Sequence, residues 1–213
     1  CPDGRIAKKY EREFYPMKIL ITGTSSGIGK GCAEFFLKKG HEVYGFDKNA
    51  ATITQPGYTH FCLDIRDKDS YPELPPVDIL INNAGTQDGN DIDVNLKGTI
   101  SITEHYGIHP DIYSIVMIGS ASGHTGSEFP EYAASNSLDF GGVMTELNRP
   151  VMEDKKLWDQ IMDLTPLKRW MTVDEAAEWI YFMAVKTRFC TGQNILIDGL
   201  EAGNCNFIWP DET

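Results

Sequence analysis

The chain has 213 residues, 41% hydrophobic and 23% charged, which suits one globular domain with a sizeable core and argues against disorder. Nineteen basic against 31 acidic residues leave a net charge of −12, which disfavours a DNA- or RNA-binding surface, and no apolar run approaches the ~18 residues of a bilayer span. The five cysteines (Cys1, Cys32, Cys62, Cys190 and Cys205) are odd in number and form no CxxC pair; this points away from a disulfide framework or a metal site and toward a reducing, cytoplasmic setting.

Residues 1–16 are polar, mixed in charge and without the apolar core of a signal peptide. They are expected to be an N-terminal extension, a cloning remnant or a separate arm, with the main domain running over 17–213. Short apolar runs then predict strands at Met17–Thr22, Glu42–Phe46, His60–Leu63, Asp78–Ile81, Ser114–Ile118 and Asn194–Ile197. Most are apolar on both faces, as parallel strands covered by helices on each side must be. Helices are predicted between them, at Gly27–Lys39 with Gly40 as its C-terminal stop, at Asn95–Tyr106, and at Val173–Val185 behind a Thr172/Glu175 capping box. The alternation implies a single-domain α/β fold, a Rossmann-type doubly wound parallel sheet.

The first strand runs into Thr22-Gly23-Thr24-Ser25-Ser26-Gly27-Ile28-Gly29 and then a helix. Gly23 permits a tight turn, Gly27 lets backbone approach a pyrophosphate, and Gly29 allows close helix–strand packing, while the helix N-terminus offers free N–H groups to phosphate. A glycine pattern alone is weak, but its place between strand and helix is the context that dinucleotide binding requires. Asp47, at the end of the second strand, stands where an acid takes a ribose 2′-hydroxyl. Its charge repels a 2′-phosphate, which favours NAD over NADP, although the adjacent Lys48 works the other way.

With these residues in place, the chain resembles the short-chain dehydrogenase/reductase family over about Met17 to Gly199. The glycine loop has that family's TGxxxGIG form. Asp64-Ile65 stands where the family places an adenine-contacting acid, and Asn82-Asn83-Ala84-Gly85 matches its NNAG loop. Asn95 in DVNLKG matches the asparagine that holds a water in a proton relay. Ser120 matches the catalytic serine, and Tyr132 in YAAS the acid/base tyrosine that opens YxxSK. Val143 and Thr145 match the stretch that holds the nicotinamide carboxamide. The resemblance thus implies catalytic Asn95, Ser120 and Tyr132. It implies a cofactor site built from Gly23, Ser25, Gly27, Ile28, Gly29, Asp47, Asp64, Ile65, Asn83, Ala84, Gly85, Val143 and Thr145, with no metal. The implied protein is a homodimer or homotetramer that interconverts a secondary alcohol and a ketone with NAD.

The pattern breaks after YAAS, where Asn136 stands in place of the family's lysine. Asn136–Thr145 itself resembles the family's sixth-strand segment, and only Tyr132–Ser135 remains to cross the sheet after a Gly/Ser/Pro-rich loop. A parallel crossover needs a dozen residues or more. We therefore expect some 20–30 residues, with the lysine and a crossover helix, to be missing between Ser135 and Asn136, the length of an ordinary βαβ crossover. A true deletion is the alternative and would disable both catalysis and the fold; absence of the lysine favours a second reading, a catalytically silent NAD-binding member acting as sensor or scaffold. Beyond the sixth strand, Glu146–Pro166 carries Met152, Leu157, Trp158, Ile161, Met162 and Leu164. It reads equally as a lid over a bulky alicyclic or steroid-like substrate and as an amphipathic helix packed on the body. Phe207, Ile208 and Trp209 form an apolar patch that suggests burial against a partner.

Overall fold

The computed structural model describes residues 15–120, 138–187, 190, 192 and 194–200. Five parallel strands form the main sheet: β1 (Lys18–Thr22), β2 (Glu42–Asp47), β3 (Tyr58–Cys62), β4 (Ile79–Asn82) and β5 (Ser114–Met117), in the order β3-β2-β1-β4-β5. The chain breaks its strand at Ile118 and resumes as β6 (Gly119–Ser120), which pairs in parallel with β7 (Leu138–Phe140), and β7 with β8 (Ile195–Ile197). Strand order reverses between β1 and β4, so the crevice above their carboxyl ends is the natural ligand position.

The apolar runs alternate between two cores. Ile19, Ile21, Val43, Ile79 and Ile81 face one side, with Cys32 and Phe36 of α1 (Gly27–Lys38) and Ala176 and Ile180 of α5 (Val173–Tyr181). Leu20, Tyr44, Phe46 and Leu80 face the other, with Ile102 and Tyr106 of the helical stretch 92–107. Period-2 alternation with both faces apolar is what a doubly covered parallel sheet demands.

Helix ends follow the sequence. Gly40 adopts φ +86° after α1. Thr172 and Glu175 close a capping box at α5 and Arg169 joins it, holding the Glu175 carboxyl down at about 2. The helix expected at Asn95–Tyr106 differs: it begins at Ile92, ends at Gly107, and consists of a short α segment, α2 (Thr99–Ile102), between wide π turns at Ile92–Gly98 and Thr103–Gly107. At the second junction the Thr103 hydroxyl donates to the Thr99 carbonyl at 2.8 Å and competes with the α-helical backbone bond. α5 likewise ends in a π turn, Phe182–Lys186, whose limit is Thr187 bonded to the Met183 carbonyl. The Glu146–Pro166 stretch forms α3 (Arg149–Glu153) and α4 (Lys155–Leu164). Trp158 of α4 meets Trp170 edge-on at 5.0 Å, and Trp170 lies against Gly142, which has no room for a Cβ.

Candidate active site

A cavity of about 600 Å³ opens above the carboxyl ends of β1, β2, β4 and β5, a size usual for a small-molecule site. Its floor is the glycine loop. Gly23 turns at φ +77° and donates its N–H to Phe46 O at 2.7 Å. A Cβ on Gly29 would come 2.1 Å from Gly23 O and 2.4 Å from Asn83 Nδ2, so only glycine lets α1 approach the strand end. Ser26, the N-cap, makes no side-chain capping bond, and the helix hydrogen bonds begin with Lys30 N–H to Ser26 O. Gly27 and Ile28 on the cavity wall therefore keep N–H groups that the helix does not use.

Asn83 locks the loop to its neighbour strand. Its Nδ2 donates to Thr22 O at 3.0 Å and Gly23 O at 3.2 Å, while the backbone N–H groups of Asn83 and Ala84 both donate to Thr22 Oγ1. Asn82 points Nδ2 at Thr103 Oγ1, 2.9 Å away, and so ties β4 to the α2 region. Asn95 is buried. Its Oδ1 accepts the Thr86 N–H at 2.8 Å and its Nδ2 donates to Thr86 O at 3.0 Å, a two-point clamp that fixes the Gly85–Thr86 backbone along the wall.

At the far end, Asp47 lines the cavity with both oxygens already oriented. Ser25 N–H donates to Oδ2 at 2.9 Å; Asn49 donates N–H and Nδ2–H to Oδ1 at 2.8 and 3.1 Å. Asp64 and Ile65 also line it. The Asp64 carboxylate is gripped by Arg66, whose terminal nitrogen lies 2.6 Å away, and this guanidinium holds the carboxyl below its usual range.

The structure brings Gly23, Gly27, Ile28, Asp47, Asp64, Ile65, Asn83, Ala84, Gly85, Asn95 and Thr145 together around one cavity. Thr145 faces the glycine loop; a Cβ on Gly27 would meet its methyl at 3.6 Å. Three residues that the resemblance assigns to the cofactor are not among those lining the cavity. Ser25 is buried and spends its hydroxyl on Ala50 O and Asn49 O, and the adjacent Ser26 takes the place on the wall. Gly29 acts by packing on Gly23, and Val143 is buried in a bridge to Met171. Ser120 ends β6 opposite Phe140, next to cavity-lining Gly119. Tyr132, Ser135, Asn136 and the Phe207–Trp209 patch lie outside the described residues. Thr86, Arg66 and Leu147 line the cavity without any signal in the sequence, since each arrives through a loop whose path only the fold defines.

Among the described residues, no helix is long and apolar enough to cross a membrane. The sequence profile of short chain dehydrogenases matches residues 17–138. An uncharacterised oxidoreductase of Schizosaccharomyces pombe is 28% identical, with 87% of this chain and 91% of the relative aligned. The 2-dehydro-3-deoxy-D-gluconate 5-dehydrogenase of Bacillus subtilis is 26% identical over 84% and 92%. The first alignment runs over 237 positions, more than the chain's 213 residues, so that relative has internal stretches this chain lacks. A solved structure of a 4-hydroxyisoleucine dehydrogenase mutant with NADH and succinate superposes with a TM-score of 0.77 at 25% identity, covering 85% of this chain and 97% of that one. Ligand-free aldohexose dehydrogenase of Thermoplasma acidophilum shares the fold, with a TM-score of 0.79 at 21% identity over 94% and 99%. The profile spans more than half of the chain, over the stretch in which the glycine loop is locked to Asn83, and the chain belongs to the short-chain dehydrogenase/reductase family of oxidoreductases.

Proposed function

We propose that the protein binds NAD(H) in this cavity and interconverts a secondary alcohol and a ketone. One observation carries the reading: an unused helix N-terminus and an oriented carboxylate share one cavity at the switch point of the sheet. The Gly27 and Ile28 N–H groups suit a pyrophosphate. Asp47 accepts from ribose hydroxyls, and its charge disfavours a 2′-phosphate, so NAD is preferred over NADP. Asn83, Ala84 and Gly85 wall the adenosine side, and Thr145 reaches the nicotinamide side. When bound, the nicotinamide supplies or accepts the hydride. Ser120 donates a hydrogen bond to the substrate oxygen, and Tyr132 gives or takes its proton. A free phenol has a pKa of ~10, so Tyr132 needs a nearby cation to work near neutrality. Asn95 stands at the wall where the resemblance places the holder of the relay water. The α3–α4 segment closes over an apolar, bulky alicyclic or steroid-like alcohol. The setting is cytoplasmic, and the assembly is a homodimer or homotetramer.

The needed cation is the lysine expected after Ser135. We infer that it lies in a stretch missing between Ser135 and Asn136; the alignment with the yeast relative, longer than this chain, leaves room for such a stretch. Intact-mass measurement of the natural protein decides it: a mass higher by some 20–30 residues, one crossover, is expected.

The activity test is oxidation of a panel of secondary alcohols with NAD. Tyr132→Phe should lower turnover by at least ~100-fold with NADH affinity kept. A wild-type protein that binds NADH yet turns over nothing is the silent cofactor-binding member, the reading that gains if Asn136 directly follows Ser135 in the natural protein.

A further inference from the structure

We propose that one face of the edge strand β3 positions the acid of the cofactor-ribose site, with His60 and Tyr58 as positioning residues that act on Asp47 through Asn49. The proposal rests on the nucleotide reading of the cavity. Tyr58, His60 and Cys62 alternate along β3 and so share a face. Each reaches beyond the neighbouring strand. Tyr58 Oη lies 2.8 Å from Thr24 Oγ1 in the glycine loop and 2.9 Å from His60 Nδ1. His60 Nε2 lies 3.0 Å from Asn49 O, and Cys62 Sγ 3.4 Å from Lys48 O.

Elementary donor–acceptor rules fix one end of this network. Asn49 O can only accept, so His60 Nε2 carries the hydrogen. In the tautomer with hydrogen on Nε2 alone, Nδ1 accepts from the Tyr58 hydroxyl, whose oxygen then accepts from Thr24. The network links the glycine loop to Asn49 without a break. β2 makes room for it with Gly45: a Cβ there would stand 2.3 Å from Tyr58 Oη and 2.6 Å from Thr24 Oγ1.

Asn49 aims Oδ1 of Asp47, since both its N–H and its Nδ2–H donate to it, while Ser25 N–H holds Oδ2. The same loop is held from below by Ser25, whose hydroxyl donates to Ala50 O, and by Thr52, whose hydroxyl donates to Ser25 O. His60 closes the remaining side. Neither Tyr58 nor His60 lines the cavity, so their effect on a ligand passes through Asp47 and the loop that carries it.

The test uses the full chain with His60→Ala, His60→Gln and Tyr58→Phe. NADH affinity is read by fluorescence, ADP-ribose affinity by calorimetry, and folding by thermal melting. His60→Ala is expected to weaken NADH and ADP-ribose by the same factor, about 3- to 10-fold, the range of one hydrogen bond. Gln, whose amide N–H can replace Nε2–H, should restore both to within about twofold, and Tyr58→Phe should show a smaller loss of both. Three results overturn the proposal: unchanged affinity in His60→Ala, weakened NADH with unchanged ADP-ribose, or failure of Gln to restore binding in a protein that melts like wild type. A wild-type chain that binds neither ligand overturns the nucleotide reading together with it.

Discussion

The centre of the sheet and the α4 helix are opposite kinds of structure. Every residue of β4 is buried, and so are four of the five in β1. α4 has no buried residue, and Leu164 at its end is 56% exposed. The strands end at the cavity, and α4 follows the wall residues Thr145–Leu147 in the chain, yet the two are held by different forces. The strand ends are fixed by backbone proximity and by Asn83, where an added atom has nowhere to go. α4 is fixed by its Asp154 cap and by one aromatic contact, Trp158 on Trp170. The strand ends around the cavity are therefore rigid and intolerant of change. Exposed positions of α4 can vary without unfolding the protein.

The hardest break of this contrast is Gly29→Ala. Its methyl would collide with backbone Gly23 O, an atom that cannot rotate away. Overpacking of this kind costs about 3 kcal/mol, and forcing α1 outward should also abolish NADH binding. Chemical denaturation and a fluorescence titration check both. Asn83→Ala comes next. It removes the Nδ2 bonds to Thr22 O and Gly23 O and leaves part-buried carbonyls without that donor, a loss of about 2 kcal/mol. Asn83→Asp is a sharper version, since its carboxylate would face two carbonyl oxygens; it should be worse than Ala in the same assay.

The same contrast governs what can be read in advance. Gly23 and Gly29 announce themselves because a turn at positive φ and a contact of helix on strand admit no other residue. Strand positions are legible because a short run apolar on both faces suits a doubly covered parallel strand and little else. The π turns around α2 are not legible. The second of them depends on Thr103 finding both the Thr99 carbonyl and Asn82, and Asn82 comes from another element. Motif position alone sends Ser25 to the ligand, whereas its partners Asn49 and Ala50 are set by the loop after β2. Arg66 gives no signal, because an exposed arginine two residues after an acid has no period or motif behind it.

A gentler probe of the rigid half is pH. His41 is buried beside Phe36 and Tyr181, and its Nδ1 accepts the Met17 N–H at 3.2 Å. Burial lowers its pKa from 6.5, with the nearby Asp78 charge opposing. The folded state thus prefers the neutral ring, and the unfolded chain binds the proton first. The stability from this group is complete above about pH 6.5 and falls as pH drops from there through the lowered folded value. Denaturation midpoints from pH 8 to 5 should show the decline, and His41→Gln should flatten it.

The smallest expected effect on stability falls on α4, and there it is the most informative. Leu164→Ser removes an apolar side chain that is already more than half in water, so the unfolding free energy should change by no more than about 0.5 kcal/mol. If α4 is a cover for the substrate, the same change acts on the Michaelis constant for an apolar alcohol and leaves NADH affinity untouched. Trp158→Ala separates the two roles further. Trp158 is part-buried against Trp170, and its loss should cost some stability as well as substrate affinity. A Leu164→Ser protein with altered KM and unchanged melting places α4 in substrate capture. A protein altered in melting and not in KM makes it a packing element of the body, and the contrast between rigid strand ends and variable α4 then loses its functional meaning.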